Sequence, residues 1–182
     1  MTRKCSRNIF IIGYGAKNRS VDNQESTGKD VMAEYLRDKI GLTFQSSSYF
    51  ACERFLYPIF KDKYGYESIQ ECYQDRHSEG MREAWYNAIS DLNRVDATTI
   101  STAMFEELSV YVGLRSEVEL KAAQQKWPDC LTIWVDASDR IVPEESTSCT
   151  VTADMADIII KNNGTLEQFY KKIDKILPIF GV

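Results

Sequence analysis

Gly28-Lys29-Asp30, set after the apolar run Ile9-Phe10-Ile11-Ile12-Gly13, is the group of residues in this chain best suited to chemistry. An apolar run closed by glycines reads as a buried parallel strand. A Gly-Lys pair opening the helix after such a strand makes an anion site, because backbone N–H groups, the helix N-terminus and a lysine ammonium converge on one point. The arrangement departs from the strict spacing GxxxxGK(S/T). Asn23 occupies the position of the first glycine, and Asp30 stands where Ser or Thr follows the lysine. The nearest upstream glycines, Gly13 and Gly15, would begin the phosphate-holding loop, which then carries an insertion over 16–27 that includes Asp22 and Glu25. Those carboxylates oppose an anion at close range.

Further cations fall at places where a ligand of a parallel sheet is held, beyond the carboxyl ends of the strands. Arg115 lies between an expected strand and a helix beginning at Ser116; Arg140, with Ser138 and Asp139, follows a strand ending at Asp136. Arg76, His77 and Arg82 stand near the start of a helix around Trp85 and can project towards the same cleft. A lysine and several arginines about one acidic ligand suit phosphoryl transfer, in which positioning and charge neutralisation carry the reaction. Asp30 is the candidate Mg²⁺ ligand, directly or through water, since magnesium favours oxygen. Arg82, followed by Glu83, is equally suited to a surface ion pair. Tyr49, Phe50 and Tyr86 are the aromatic candidates for contacting a base, although packing accounts for them as well. Nothing in the chain points to a nucleophile or a catalytic histidine.

The elements that must position these groups alternate between strand and helix. Met32, Tyr35, Leu36 and Ile40 share one face of a helix over about 28–40. An extended piece near 42–48 follows, and then a helical, aromatic-rich section over about 51–108. Pro58 and Gly65 divide that section into two or three helices, one with the stripe Met81, Trp85, Ala88, Ile89 and Leu92. Residues 109–113 and 130–136 read as strands. Ser116 and Glu119 have the spacing of a capping box that opens a helix to about 125. Residues 137–152 form a polar loop or lid. Ile158-Ile159-Ile160 is the last strand, and Thr165 with Gln168 caps a helix whose Leu166, Phe169, Tyr170, Ile173 and Leu177 share a face. The pattern predicts an α/β layer fold with a mostly parallel sheet in one domain over 1–182.

Composition narrows the classes. The chain has 182 residues, 43% hydrophobic and 27% charged, and a net charge of -5. That balance argues against a nucleic-acid or membrane-surface binder, whose contact face is basic. No apolar run approaches a membrane span, and no signal-peptide core follows Met1-Thr2-Arg3-Lys4-Cys5. Five widely spaced cysteines with a single histidine and no CxxC argue against a zinc site and read as reduced thiols in a cytoplasm.

Several segments, in order, resemble the bacteriophage deoxynucleoside monophosphate kinases, a branch of the P-loop nucleoside monophosphate kinases. They are Gly28-Lys29-Asp30-Val31-Met32-Ala33-Glu34-Tyr35-Leu36, Ser48-Tyr49-Phe50-Ala51, Arg82-Glu83-Ala84-Trp85-Tyr86, Tyr111-Val112-Gly113-Leu114-Arg115 with Glu117 and Glu119, Ile133-Trp134-Val135-Asp136, and Ala156 to Leu166. The resemblance implies a three-layer P-loop kinase fold with a helical acceptor section inserted at about 51–108. It also implies transfer of the ATP γ-phosphate to a dNMP with Mg²⁺, giving dNDP and ADP in a host cytoplasm. Carried onto this chain, Lys29 would contact the ATP phosphates, Gly28 would supply backbone donors, and Arg82 and Arg115 would clamp the acceptor phosphate. Adding the residues picked out by position and type, the expected ATP site is Gly13, Gly15, Gly28, Lys29, Asp30 and Arg140. The expected acceptor site is Tyr49, Phe50, Arg76, Arg82, Tyr86, Arg115 and Glu119, with Lys29, Arg82 and Arg115 acting on the transferred group. Small nucleotides are the expected ligands, and a homodimer is open to the chain, since members of the family can be dimeric. Two other readings stay open at this point: a P-loop kinase of another small acceptor, and a nucleotide-binding protein without catalysis.

Overall fold

Ile9, Phe10, Ile11 and Ile12 are fully buried on both faces, which is what an uninterrupted apolar run means when it forms the central strand of a parallel sheet. The computed structural model describes residues 7–14, 27–141 and 149–181. Gly15, the insertion residues 16–26 and the 142–148 part of the expected lid lie outside the described residues. Five strands form one all-parallel sheet, β1 (Ile9–Ile12), β2 (Phe44–Ser46), β3 (Val110–Val112), β4 (Leu131–Asp136) and β5 (Ile158–Lys161), in the order β2-β3-β1-β4-β5. With β3 and β4 on either side of β1, the chain crosses from one half of the sheet to the other between them. The carboxyl end of β1 is therefore the switch point at which α/β sheets open a ligand crevice.

Helices cover both faces. Side chains of β1 alternate between them, Ile9 and Ile11 to one side and Phe10 and Ile12 to the other. On the first side α1 (Lys29–Ile40) supplies Met32, Ala33 and Leu36, and the C-terminal α8 (Leu166–Asp174) supplies Phe169 and Ile173. On the second, α2 (Ser47–Ala51), α6 (Thr99–Glu107) and α7 (Glu117–Lys126) bring Phe50, Ile100, Met104, Leu120 and Ala123 against Phe10, Tyr111 and Trp134.

The helical section has more pieces than its punctuation predicts. α2 runs through a π-helical turn over Cys52–Leu56 into α3 (Tyr57–Tyr64), followed by α4 (Ile69–Asp75) and α5 (Met81–Val95). Gly65 ends α3 in a left-handed conformation as expected, but Pro58 interrupts nothing because it lies in the first turn of α3. A proline removes one helical N–H and crowds the carbonyl four residues back. The wider π turn just before it takes up both defects. Cys52, Leu56, Phe60, Cys72, Met81 and Trp85 give this section a small core of its own, so the Met81–Trp85 stripe packs where its spacing predicts.

Candidate active site

The turn from β1 into α1 is built to hold its parts close. A Cβ on Gly13 would stand 2.7 Å from the Val135 carbonyl oxygen, so only glycine lets the end of β1 lie this near β4. Gly28 caps α1 with φ 94 and ψ 12, a left-handed conformation glycine adopts freely. A glycine cap brings no side chain to the first turn, whose N–H groups have no partners within the helix. Lys29 then folds back over the end of the strand: its Nζ donates to the Tyr14 carbonyl at 3.0 Å and to Thr27 Oγ1 at 3.1 Å. An ammonium thus sits between a strand end and a helix start, at the sheet's switch point, where an anion gains from the ammonium and from the helix N-terminus. Asp30 is exposed on the first turn beside it.

The ends of β4 and β5 close one side of this turn. Asn162, directly after β5, is buried, and its Nδ2 donates to the Thr27 carbonyl at 2.9 Å. Its backbone N–H reaches the Asp136 carbonyl, 2.6 Å, and its own carbonyl accepts from Arg140 Nε at 2.7 Å. Asn163 Nδ2 donates to Asp139 Oδ2 at 2.7 Å. The side chain and N–H of Ser138 both bond the Asp136 carboxylate, which with the charge of Lys161 holds it below the usual carboxylate range despite some burial. Arg140 and Asp136 are therefore linked through the loop that buttresses Gly28. Neither Asn162 nor Thr27 was among the candidate site residues, although Asn162 lies in the resembling segment Ala156 to Leu166. The physical signal for it was a polar residue directly after an apolar strand, at the edge where such sheets bind ligands.

On the other side of β1, Arg115 is half-buried after β3, and its carbonyl accepts from Thr150 and Val151 N–H groups at 2.8 and 3.3 Å. Arg76 lies over the Tyr73 ring at 3.7 Å from its centroid and donates to the Tyr73 carbonyl, and Tyr49 meets the same ring edge-on at 5.0 Å. Tyr49 and Arg76 are thus brought together through Tyr73, a residue the sequence did not single out. Arg82 is exposed on the first turn of α5, and Tyr86 is 55% exposed one turn on.

Two expected contacts move inward. Phe50 is only 1% exposed and packs in the core with Ile100 and Met104, so its ring face is spent on packing and offers no surface to a base. Glu119 is 3% exposed. Ser116 does cap its N–H, at 3.3 Å, but the Glu119 side chain does not return to close a capping box. It turns inward to bond Tyr111 and Asn93, and burial pushes its carboxyl up to about 7 in spite of those bonds. Among the described residues no three His, Cys, Asp or Glu side chains gather as a metal cage. Magnesium carried on a nucleotide needs only one or two carboxylates besides phosphates and water, a requirement Asp30 fits.

No protein-family model matches this chain, and no curated protein matches it. Among solved structures, the unliganded crystal structure of a protein described as a sugar kinase from Janibacter sp. HTCC2649 is similar at 13% identity, over 96% of this chain and 97% of that one, with a TM-score of 0.45. The built turn around Lys29, rather than this distant likeness, bears on function. No described helix is long and apolar enough to cross a membrane.

Proposed function

We propose that the protein is an ATP-dependent phosphotransferase whose acceptor is a deoxynucleoside monophosphate. The observation that carries the phosphate-binding part is the placement of Lys29 Nζ against Tyr14 and Thr27, at a glycine-opened helix on the switch point of an all-parallel sheet. The choice of a dNMP rests on the resemblance of the ordered segments described above. In this reading an oxygen of the acceptor's phosphate attacks the γ-phosphorus of ATP, the bond to the β,γ-bridging oxygen breaks, and ADP leaves with that electron pair. The protein's part is to hold both phosphates in line and to offset their charge. Lys29 and the Gly28 turn take the ATP phosphates, and Arg140 stands at the rim on their side. Arg115 and Arg82 take the acceptor phosphate, with Tyr49, Arg76 and Tyr86 on the side of its base. Asp30 would hold Mg²⁺ arriving with ATP, and the ion would supply neutralisation of phosphate charge.

The test is ADP formation from ATP and Mg²⁺ against each dNMP in turn, with sugars and coenzyme precursors as competing acceptor classes. Turnover on a dNMP is expected, and Lys29→Ala should lower it at least a hundredfold with the circular-dichroism spectrum unchanged, since one preorganised charge on the transferred group is worth about that much. Turnover on a sugar but on no dNMP would replace the acceptor. Tight nucleotide binding with no ADP from any acceptor would make the chain a binding protein.

A further inference from the structure

A second residue reaches the turn before α1, and it comes from far along the chain. The peptide between Thr27 and Gly28 is the last one before α1, and a glycine on its C-terminal side leaves it free to rotate between two orientations. In one, the carbonyl faces the anion site and repels a phosphate; in the other, the N–H does. A trans peptide holds its C=O and N–H antiparallel, so fixing one fixes the other. Asn162 Nδ2 holds the Thr27 carbonyl at 2.9 Å, and both groups are buried. The Gly28 N–H therefore points away from Asn162. The Asn162 amide also lies where any Cβ on Gly28 would be, so turn and amide are fitted to each other. Asn162 is itself fixed through its backbone, by the bond of its N–H to the Asp136 carbonyl and of Arg140 to its own carbonyl. Neither neighbouring element depends on this contact: strand β5 ends one residue earlier, and α8 is capped independently by Thr165 and Gln168.

We infer that Asn162 is a positioning residue for the ATP phosphates, a latch that keeps the Thr27–Gly28 peptide oriented with its N–H rather than its carbonyl towards the anion site. The inference rests on the phosphate-binding reading of this turn and deepens it. It gives the end of β5 a role in binding although none of its side chains need touch the ligand.

Equilibrium binding of MgATP to the full chain, followed by calorimetry, tests it with two variants and a matched control. Asn162→Ala removes the donor. Asn162→Asp keeps the shape, replaces the donor with an acceptor and sets a carboxylate against the Thr27 carbonyl. Thr165→Ala weakens the same corner of the fold by opening the α8 cap without touching Thr27. The expected result is MgATP affinity about tenfold weaker in Asn162→Ala and weaker still in Asn162→Asp, with dNMP affinity unchanged and with Thr165→Ala binding as the unaltered protein does. In turnover the loss should fall on the KM for ATP while the KM for the acceptor stays put. MgATP affinity unchanged in a folded Asn162→Ala protein would overturn the inference alone, as would an equal loss in Thr165→Ala, because Asn162 would then be only structural. Should Asn162→Ala not fold, Asn162→Asp carries the same comparison. Absence of MgATP binding by the unaltered protein would overturn this inference and the phosphotransferase reading together.

Discussion

Glu119 shows what burial does to a group that its sequence position marks as a cap. Its carboxyl titrates at about 7 because desolvation outweighs the hydrogen bonds from Tyr111 and Asn93, which act in the opposite direction. Tyr111 is pushed up as well, first by its own burial and then by the neighbouring glutamate. The unfolded chain releases the Glu119 proton near its ordinary value of 4.5, whereas the folded protein keeps it to about 7. Between those values the native state binds more protons than the unfolded state, so stability falls as pH rises through that window and stays lower above it. Glu119→Gln removes the titration while preserving an acceptor for Tyr111, and it adds a donor beside Asn93, whose Oδ1 has no hydrogen-bond partner among the described residues. The variant should be more stable than the unaltered protein at pH 8, by up to roughly 3 kcal/mol, and the advantage should shrink as pH falls towards 4.5. Urea unfolding at both pH values reads the difference; a pH-independent gap would sink the explanation. The capping-box spacing of Ser116 and Glu119 was legible, and half of it forms. The other half was not, because an apolar pocket around a helix start is a tertiary feature that three-residue spacing does not contain.

At the scale of elements, strands and terminal caps were the most readable. β1, β3, β4 and β5 lie within or beside the runs that predict them; for β1, β3 and β4 the reason is that a strand buried between two helical layers has no polar face to blur its pattern. The helix after Gly164 starts as its residues dictate: Thr165 Oγ1 accepts from the Gln168 N–H at 3.2 Å, and the Gln168 side chain accepts from the Thr165 N–H at 3.0 Å. Thr165→Ala should cost about 1 kcal/mol in urea unfolding, and Thr165→Ser should recover most of it, because a hydroxyl at the cap is what matters. Failure of serine to restore stability would mean that the threonine methyl, and not the cap, holds the corner. The helical section was less readable because its breaks do not coincide with its proline. A π turn has no sequence signature of its own, and Pro58 looks like a helix end until the turn before it is known. β5 is an edge strand with Ile159 half exposed, a distinction that three consecutive isoleucines conceal.

At the scale of the whole molecule, three cations distant in sequence come to one end of the sheet, and this is where pairwise reading of the sequence runs out. Lys29, Arg115 and Arg140 are far apart in the chain, yet the strand order places them after β1, β3 and β4, three adjacent strands whose carboxyl ends point the same way. Their common placement follows from alternating strands and helices, which was legible. The link from Asn162 back to Thr27 spans 135 residues and follows from the strand order, which was not. A site assembled from such distant parts stabilises the native state only when filled, since no comparable arrangement exists in the unfolded chain. MgATP at about a hundred times its dissociation constant should therefore add about 2.7 kcal/mol to unfolding and raise the melting temperature by roughly 5–11 °C. A dNMP should add its own increment on top, because it fills the other half of the crevice. In Lys29→Ala the MgATP increment should largely vanish while the dNMP increment persists. If both increments disappear together in that variant, Lys29 serves the crevice as a whole and the division of the site between ATP and acceptor fails; if neither ligand shifts the unaltered protein, the crevice does not bind nucleotides.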